Sequence, residues 1–132
     1  MSADNGNNGL AARFKEALQQ TEKSRDPSAV ASLFKEGARL TNLGGDHGND
    51  ATKFWQVYLE QFSDIRSEFT GEITSDRSAA LEWQSRGTLT DGESVDYRGV
   101  SVIEFDGDAV TSFRTYYDSA AFVRTKTQYS PH

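Results

Sequence analysis

The sequence predicts a single α+β domain with three amphipathic helices in its first half and an antiparallel sheet in its second half. Two observations lead to this prediction. Apolar residues recur every three or four positions up to about residue 62, and they alternate with polar residues from Ile65 onward. Three tight-turn signals divide the alternating part into four strands, and short connections of this kind require an antiparallel meander. A chain of 132 residues is the usual size of one domain.

The first two helices follow a polar start. Residues 1–9 are rich in Asn and Gly, and we expect them to form a disordered tail. The apolar spacing that follows predicts a helix over residues 10–22. Asp26 and Pro27 are typical of the N-cap and the first position of a second helix, and Gly37 fits the left-handed position after its end.

A short extended run at residues 38–43 and a Gly-rich loop lead to the third helix. Asn49 or Asp50 is its predicted N-cap. Aromatic and aliphatic residues then recur at helical spacing, which predicts one buried face. The residues of this face are Phe54, Trp55, Tyr58, Leu59 and Phe62.

The four strands of the meander are separated by polar turns. Asp91-Gly92 is the strongest short hairpin signal in the chain. Asp118 is expected to cap a short turn that ends at Phe122, and residues 124–132 are expected to form a C-terminal tail. The predicted strands begin at Ile65 and continue over residues 79–89, 94–105 and 109–117.

Composition excludes several classes of function. The sequence has fourteen Lys and Arg residues and 20 Asp and Glu residues, and this excess of acidic residues disfavours binding to nucleic acid. The absence of Cys excludes disulfides and thiolate chemistry. We find neither a signal peptide nor an apolar run long enough to span a membrane, so a cytoplasmic protein without membrane contact is expected.

Large side chains occur on both faces of the predicted sheet. One face of the strand 79–86 carries Trp83, and the other carries Glu82, Gln84 and Arg86. The last strand has aromatic rings on both sides. Helices cover only one face, so we expect a second subunit to cover the other and form a homodimer. An ordinary two-layer core with scattered exposed aromatics is the alternative.

Four segments carry a family resemblance: FWQVYLEQF, ALEWQSRG, YRGVSVIEFDGD and FRTYYDSAAF. In this order they resemble the nuclear transport factor two-like superfamily, and most closely its SnoaL-like polyketide-cyclase and ketosteroid-isomerase branch. The resemblance covers residues 10–123 as one domain. It implies a cone-shaped barrel, in which the four-strand meander and one short strand wrap around the three N-terminal helices. It also implies a pocket inside the cone and dimers through the outer sheet face.

Individual residues can be carried over from this superfamily. FRTYYD resembles the end of the limonene-epoxide-hydrolase chain, but Thr115 stands where that enzyme has a catalytic Asp. Glu82 and Gln84 fall where it has an Arg and an Asp, so the resemblance does not extend to epoxide hydrolysis. The same register implies that the pocket is lined by Tyr97, Gly99, Tyr117 and Phe122.

Glu82 and Gln84 are the catalytic candidates. In an apolar cavity Glu82 would lose hydration, and a carboxyl group with a raised pKa suits a general acid or base. Gln84 and Tyr hydroxyl groups would hold a carbonyl oxygen. The alternative for Glu82 is an inert pair with Arg86 on the same face. The expected substrate-binding residues are Trp55, Tyr58, Arg86, Tyr97, Thr115, Tyr117 and Phe122.

His47 lies beside Asp46 in the Gly-rich loop, where the two could shuttle protons or simply be solvated. Two His residues and no HExxH spacing indicate no metal site, and no nucleotide-binding or dinucleotide-binding glycine motif occurs. We therefore expect no cofactor.

Three functions remain open. The leading hypothesis is a cofactor-free isomerase, cyclase or dehydratase that moves protons on a small hydrophobic molecule with a carbonyl group. The second is a non-catalytic module that binds such a molecule. The third is a dimerisation domain whose cavity is filled by its own rings.

Overall fold

A computed structural model of the protein describes residues 2–43 and 45–122. The described part contains three helices and six strands. In chain order these are α1 (Ser2–Ser24), α2 (Ser28–Ala31), β1 (Phe34–Asn42), β2 (Gly45–Asp46), α3 (Ala51–Glu60), β3 (Phe62–Thr74), β4 (Ser78–Leu89), β5 (Ser94–Asp106) and β6 (Ala109–Tyr117).

The sheet has the order β2-β1-β6-β5-β4-β3. Strands β3 to β6 pair antiparallel with their neighbours in sequence, which confirms the predicted meander. Strand β1 joins the free edge of β6 in a parallel pairing, and the two-residue β2 pairs antiparallel with β1. The α+β class is therefore confirmed, with a curved, open sheet of six strands.

The N-terminal helices differ from the prediction in their bounds. Helix α1 begins at Ser2, so helix replaces the expected disordered tail over the described residues before Leu10. The helix continues outward from the segment that is packed on the sheet, because each added residue then forms a hydrogen bond without a new nucleation cost. The expected C-terminal tail at 124–132 lies outside the described residues.

Helix α2 is a single turn, whereas the sequence predicted a helix that continues to Gly37. Strand β1 already begins at Phe34, where it pairs with Val110 of β6. Pairing with β6 satisfies the backbone there, so the apolar residues start a strand. Gly37 consequently lies inside β1, at a positive φ of 87° that suits glycine. The N-cap of α2 is Pro27 and not the predicted Asp26, whose side chain accepts a hydrogen bond from Ser28 N at 2.9 Å.

Two predicted caps are confirmed. Asp50 is the N-cap of α3, and its side chain accepts a hydrogen bond from Lys53 N at 3.0 Å. Asp118 accepts from Ala120 N at 3.0 Å and starts the short turn that reaches Phe122. These local interactions fix where α3 and the last turn begin.

Helices α1 and α3 cover one face of the sheet, which we call the inner face. The ring of Phe14 in α1 stacks on Phe113 of β6 at a centroid distance of 5.9 Å. Trp55 of α3 meets the same Phe113 ring edge-on at 5.1 Å. The core on this face includes Leu10, Leu18, Val30, Leu40, Leu81, Ile103 and Val110.

A bulge in β3 sends Ile73 to the opposite face from Ile65 and Phe69. Phe69 pairs with Trp83, but the next pair along is Gly71 with Glu82, so Thr70 is an extra residue in β3. Strict alternation from Ile65 onward, as the sequence predicts, would place all three apolar residues on one side of the strand. Ile73 is instead 76% exposed.

The other face, which we call the outer face, has no helix over it among the described residues. It carries an apolar patch composed of Ile73, Ala80, Val100, Val102 and Tyr116. No described helix is long and apolar enough to cross a membrane.

Candidate functional site

A cavity of about 180 Å³ lies between α3 and the inner face of the sheet. Its walls come from α3, the meander and the turn after β6. Six of the seven predicted substrate-binding residues line it: Trp55, Tyr58, Tyr97, Thr115, Tyr117 and Phe122. The fold brings these residues together, and their role in binding stays a prediction.

Aromatic rings form one wall of the cavity. Tyr97 lies at the centre of this wall and contacts Phe122, Trp83 and Tyr117 at centroid distances of 4.8, 5.3 and 5.5 Å. Gly99 makes this packing possible, because a Cβ atom there would lie 2.7 Å from the Trp83 ring and 2.8 Å from Tyr117 Cβ. The wall offers an apolar surface on which a flat ligand can pack.

Glu82, Gln84 and Arg86 lie on the outer face and do not line the cavity. Gln84 Nε2 donates to Asp96 Oδ1 at 2.9 Å, and Arg86 Nε donates to Asp96 Oδ2 at 3.2 Å. These two hydrogen bonds, the one from Gln84 first, lower the pKa of the exposed Asp96 carboxyl. The predicted position of Glu82 and Gln84 in the pocket is therefore wrong, and so is that of Arg86.

The error lies in one residue of hairpin register. A two-residue turn at Asp91-Gly92 would pair even-numbered positions of β4 with odd-numbered positions of β5, and Glu82 would share a face with Tyr97. In the structure Gly92 N donates to Leu89 O at 2.9 Å and Leu89 N donates to Glu93 O at 2.8 Å, so the loop has three residues. Ser85 then pairs with Tyr97, and every β4 side chain changes face.

A carboxyl group does reach the inside of the fold, from α1. Glu22 is 4% exposed and accepts three hydrogen bonds. Tyr58 Oη donates to its Oε2 at 2.6 Å, Ser67 Oγ donates to the same oxygen at 2.7 Å, and Ser67 N donates to Oε1 at 2.8 Å. Ser85 Oγ extends this network at 2.6 Å from Ser67 Oγ. Tyr58, Ser67 and Ser85 all line the cavity.

Burial raises the pKa of the Glu22 carboxyl, although the hydrogen bonds from Tyr58 and Ser67 act in the opposite direction. No described Lys or Arg forms an ion pair with Glu22. Burial, and next the charge of Glu22, also raise the pKa of the Tyr58 hydroxyl. The pKa of Tyr97 is raised by burial and then by the nearby Tyr117 and Glu22. Both hydroxyl groups therefore keep their protons at neutral pH.

Glu22 is not among the site residues predicted from the sequence, although the sequence contains a signal for it. Leu10, Phe14 and Leu18 recur every four residues, and Glu22 is the next position on the same helix face. A carboxyl group at the end of an apolar stripe indicates a buried polar site. The helical spacing by itself places Glu22 only at the end of the predicted helix.

A second polar chain crosses the inner face of β4, β5 and β6. Trp83 Nε1 donates to Ser101 Oγ at 3.0 Å, and Ser101 Oγ lies 2.9 Å from Thr115 Oγ1. Both hydroxyl groups line the cavity. Hydroxyl groups can donate or accept, so this chain can adapt to either type of polar atom in a ligand.

Asp46 and His47, for which a proton shuttle was one of two interpretations, form hydrogen bonds to other groups. The Asp46 carboxylate accepts from Arg39 and from Gly48 N, and the hydrogen bond from Gly48 N is the largest cause of its lowered pKa. His47 Nε2 lies 2.7 Å from Asn42 Oδ1, and its ring meets Phe54 at 5.6 Å. His47 belongs to the mouth of the cavity, which Asp50 and Lys53 also line. Within residues 2–43 and 45–122, no cluster of three or more His, Asp or Glu side chains could hold a metal ion.

A curved sheet closed on one side by helices, with a ring-lined cavity and a buried carboxyl group, defines a small α+β pocket protein. The sequence profile of the SnoaL-like domain matches residues 11–113. The chain therefore belongs to the SnoaL-like domain family. The comparison with curated proteins found no match.

Solved structures share this fold over nearly the whole chain. An NTF2-like protein from Anabaena variabilis superposes with a TM-score of 0.81 at 16% identity, covering 89% of this chain and 92% of its own. An NTF2-like protein of unknown function from Burkholderia pseudomallei gives 0.74 at 17%, covering 88% and 96%. A protein with a ketosteroid isomerase-like fold from Catenulispora acidiphila, in complex with trimethylamine, gives 0.76 at 13%, covering 89% and 97%. At these identities the likeness concerns the fold alone.

Proposed function

We propose that this protein is a cofactor-free enzyme that moves a proton next to the carbonyl group of a small apolar molecule, with Glu22 and Tyr58 as its acid–base pair. The observation that carries the proposal is the buried Glu22 carboxyl, 2.6 Å from a Tyr hydroxyl that lines the cavity. Isomerisation, cyclisation and dehydration of carbonyl compounds all begin with such a proton transfer. Complex formation between a protein of this fold and trimethylamine supports the binding of small molecules.

In the proposed reaction, the proton leaves the carbon atom beside the carbonyl group through Tyr58. The Tyr58 oxygen takes the substrate proton while its own proton passes to Glu22 Oε2, which leaves an enolate and a neutral Glu22. The reverse transfer at another carbon atom completes an isomerisation. A raised pKa suits this role, because a general base works best when its pKa lies near the working pH.

Hydrogen exchange tests the proposal directly. Proton NMR in D2O follows the loss of the protons next to the carbonyl group of a small cyclic ketone in the presence of the protein. We expect Glu22→Gln and Tyr58→Phe to lower the protein-dependent exchange rate about 10²-fold or more. The matched control is Glu82→Gln, the same change on the outer face, which leaves the rate unchanged. Full exchange in Glu22→Gln, or a loss confined to Glu82→Gln, contradicts the assignment.

One observation favours the alternative of a non-catalytic binding module. Three hydrogen bonds already occupy the Glu22 carboxyl, as in a network that only holds α1, α3 and β3 together. If the wild-type protein binds the ketone without exchange, the binding module is the correct function. If no ligand binds, the cavity is only a space between core rings, since ligand pockets usually exceed about 300 Å³.

A further inference from the structure

The cavity contains a hydrogen-bond donor that the proposed proton transfer does not use. Trp55 lines the cavity and is 3% exposed, and its Nε1 atom is buried without a hydrogen-bond partner among residues 2–43 and 45–122. Buried polar side-chain atoms in native proteins nearly always have a partner. The other indole follows this rule, because Trp83 Nε1 donates to Ser101 Oγ.

Aromatic rings surround the Trp55 side chain. Phe54, Phe113 and Tyr58 meet its ring at centroid distances of 5.0, 5.1 and 5.5 Å, with interplanar angles of 87°, 68° and 84°. The hydroxyl of Tyr58 donates to Glu22. An acceptor for the indole N–H therefore comes from a molecule in the cavity, either water or a ligand, or from the π face of a neighbouring ring.

The size of the cavity limits the ligand. A dry apolar cavity of about 150 Å³ is known to hold one benzene molecule. The cavity here, at about 180 Å³, has room for one six-membered ring and one or two further atoms. Its aromatic wall matches an apolar ring, and a carbonyl oxygen is the acceptor that the Trp55 N–H lacks.

We propose that the ligand is a monocyclic carbonyl compound about the size of cyclohexanone, and that the indole N–H of Trp55 donates to its oxygen. The inference rests on the proposed function, since it concerns the same cavity. Trp55 and Tyr58 lie three positions apart on one face of α3, so one helix would supply both the donor to the oxygen and the hydroxyl beside the neighbouring carbon. A donor at the oxygen stabilises the enolate that forms when the proton leaves.

The test uses the full chain labelled with ¹⁵N. The sequence has two Trp residues, so the spectrum contains two indole N–H signals, and Trp55→Phe identifies one of them by its loss. Cyclohexanone and methylenecyclohexane are titrated in parallel, because the second replaces the oxygen with CH2 and keeps the shape. We expect the Trp55 proton to move downfield with the ketone only. The Trp83 signal is the internal control, since its donor is already bonded to Ser101.

Affinities provide a second measurement. In the wild type, cyclohexanone should bind more tightly than methylenecyclohexane. In Trp55→Phe this preference for the ketone, measured as the ratio of the two dissociation constants, should decrease about tenfold, as expected for one lost hydrogen bond. Failure of both compounds to bind at millimolar concentration overturns the inference. A Trp55 signal that ignores the ketone, or that responds equally to both compounds, assigns the N–H to a ring face and also overturns it.

The outcomes separate this inference from the proposed function. If hydrogen exchange depends on Glu22 but the Trp55 signal does not move with the ketone, the proposed function holds and the proposed role of Trp55 as a donor is wrong. If the Trp55 signal moves with the ketone but no hydrogen exchange occurs, Trp55 is the donor and the protein is a binding module.

Discussion

Glu22 is a buried carboxyl group that reaches the cavity through its hydrogen bond with Tyr58. Burial raises its pKa in the folded protein, so the folded state binds the proton more tightly than the unfolded state. Its contribution to stability is fully present below the unfolded pKa of about 4.3 and is lost as the pH rises through the folded pKa.

Chemical denaturation at a series of pH values tests this sign. We expect the unfolding free energy of the wild type, minus that of Glu22→Gln, to decrease as the pH rises above the unfolded pKa and through the raised folded pKa, by at most about 1.4 kcal/mol per pH unit. In Tyr58→Phe one of the hydrogen bonds that lowers the Glu22 pKa is gone, so the decrease continues to higher pH. A difference that increases with pH would show that the hydrogen bonds outweigh burial.

The Trp55 side chain also contributes to the packing of α3 in the core. Its ring contacts Phe14, Phe34, Phe54, Tyr58 and Phe113. Trp55→Ala should lower the unfolding free energy by about 3–5 kcal/mol, because it removes buried apolar contacts and leaves a cavity. Leu43→Ala, at a side chain that is 46% exposed, is the control and should change stability by less than about 1 kcal/mol. A loss below about 1 kcal/mol in Trp55→Ala would place the ring outside the core.

At the scale of elements, two glycines differ in backbone conformation, because one lies in a turn and the other lies in a helix. Gly92 has a φ of +94° in the β4–β5 hairpin, where an L side chain is strained. Gly9 lies within α1, and a Cβ atom there would meet nothing within 4 Å. We expect Gly92→Ala to destabilise the protein by about 1 kcal/mol and Gly9→Ala to stabilise it by about 0.5–1 kcal/mol.

Thermal or urea denaturation of both variants checks this pair. Both variants add the same methyl group, so opposite effects on stability would arise from the different backbone conformations of the two positions and not from the side chain itself. No effect of Gly9→Ala would mean that the helix begins after Gly9, as the sequence first suggested.

At the scale of the whole molecule, the outer face is the surface without a cover in the described part of the chain. Ile73 is 76% exposed and Tyr116 is 47% exposed, and Val100 and Val102 lie between them. We propose that a second copy packs on this patch and forms an isologous homodimer that buries about 1,200–2,000 Å² in total. Large exposed apolar patches commonly mark such interfaces.

Analytical ultracentrifugation tests the dimer. The wild type should sediment as a dimer at micromolar concentration, and Tyr116→Glu should sediment as a monomer, because a charge is costly to bury in an apolar contact. Leu43→Glu is the control, since it places the same charge on an exposed apolar residue outside the patch. A monomeric wild type would contradict the proposal.

Local patterns were sufficient to predict the class of fold, the meander, the positions of its turns and the cap of α3. The family resemblance, and not a local pattern, implied that Tyr97, Tyr117 and Phe122 line the cavity. Periodicity and turn residues are properties of neighbouring positions, so one sequence carries them. The short β1 run was placed in part, but its parallel pairing with β6 was not, because that contact joins residues far apart in the chain.

The sequence by itself determined which side chains share a side within one strand, such as Thr115 and Tyr117 of β6, because alternation along a strand is local. Only the tertiary structure decided which side of β4 meets that face, since one residue in the Asp91-Gly92 loop reverses every side chain of the strand. It also decided that Glu22, rather than Glu82, is the buried carboxyl. Burial depends on which helix packs over which strands, and that contact is made between segments distant in sequence.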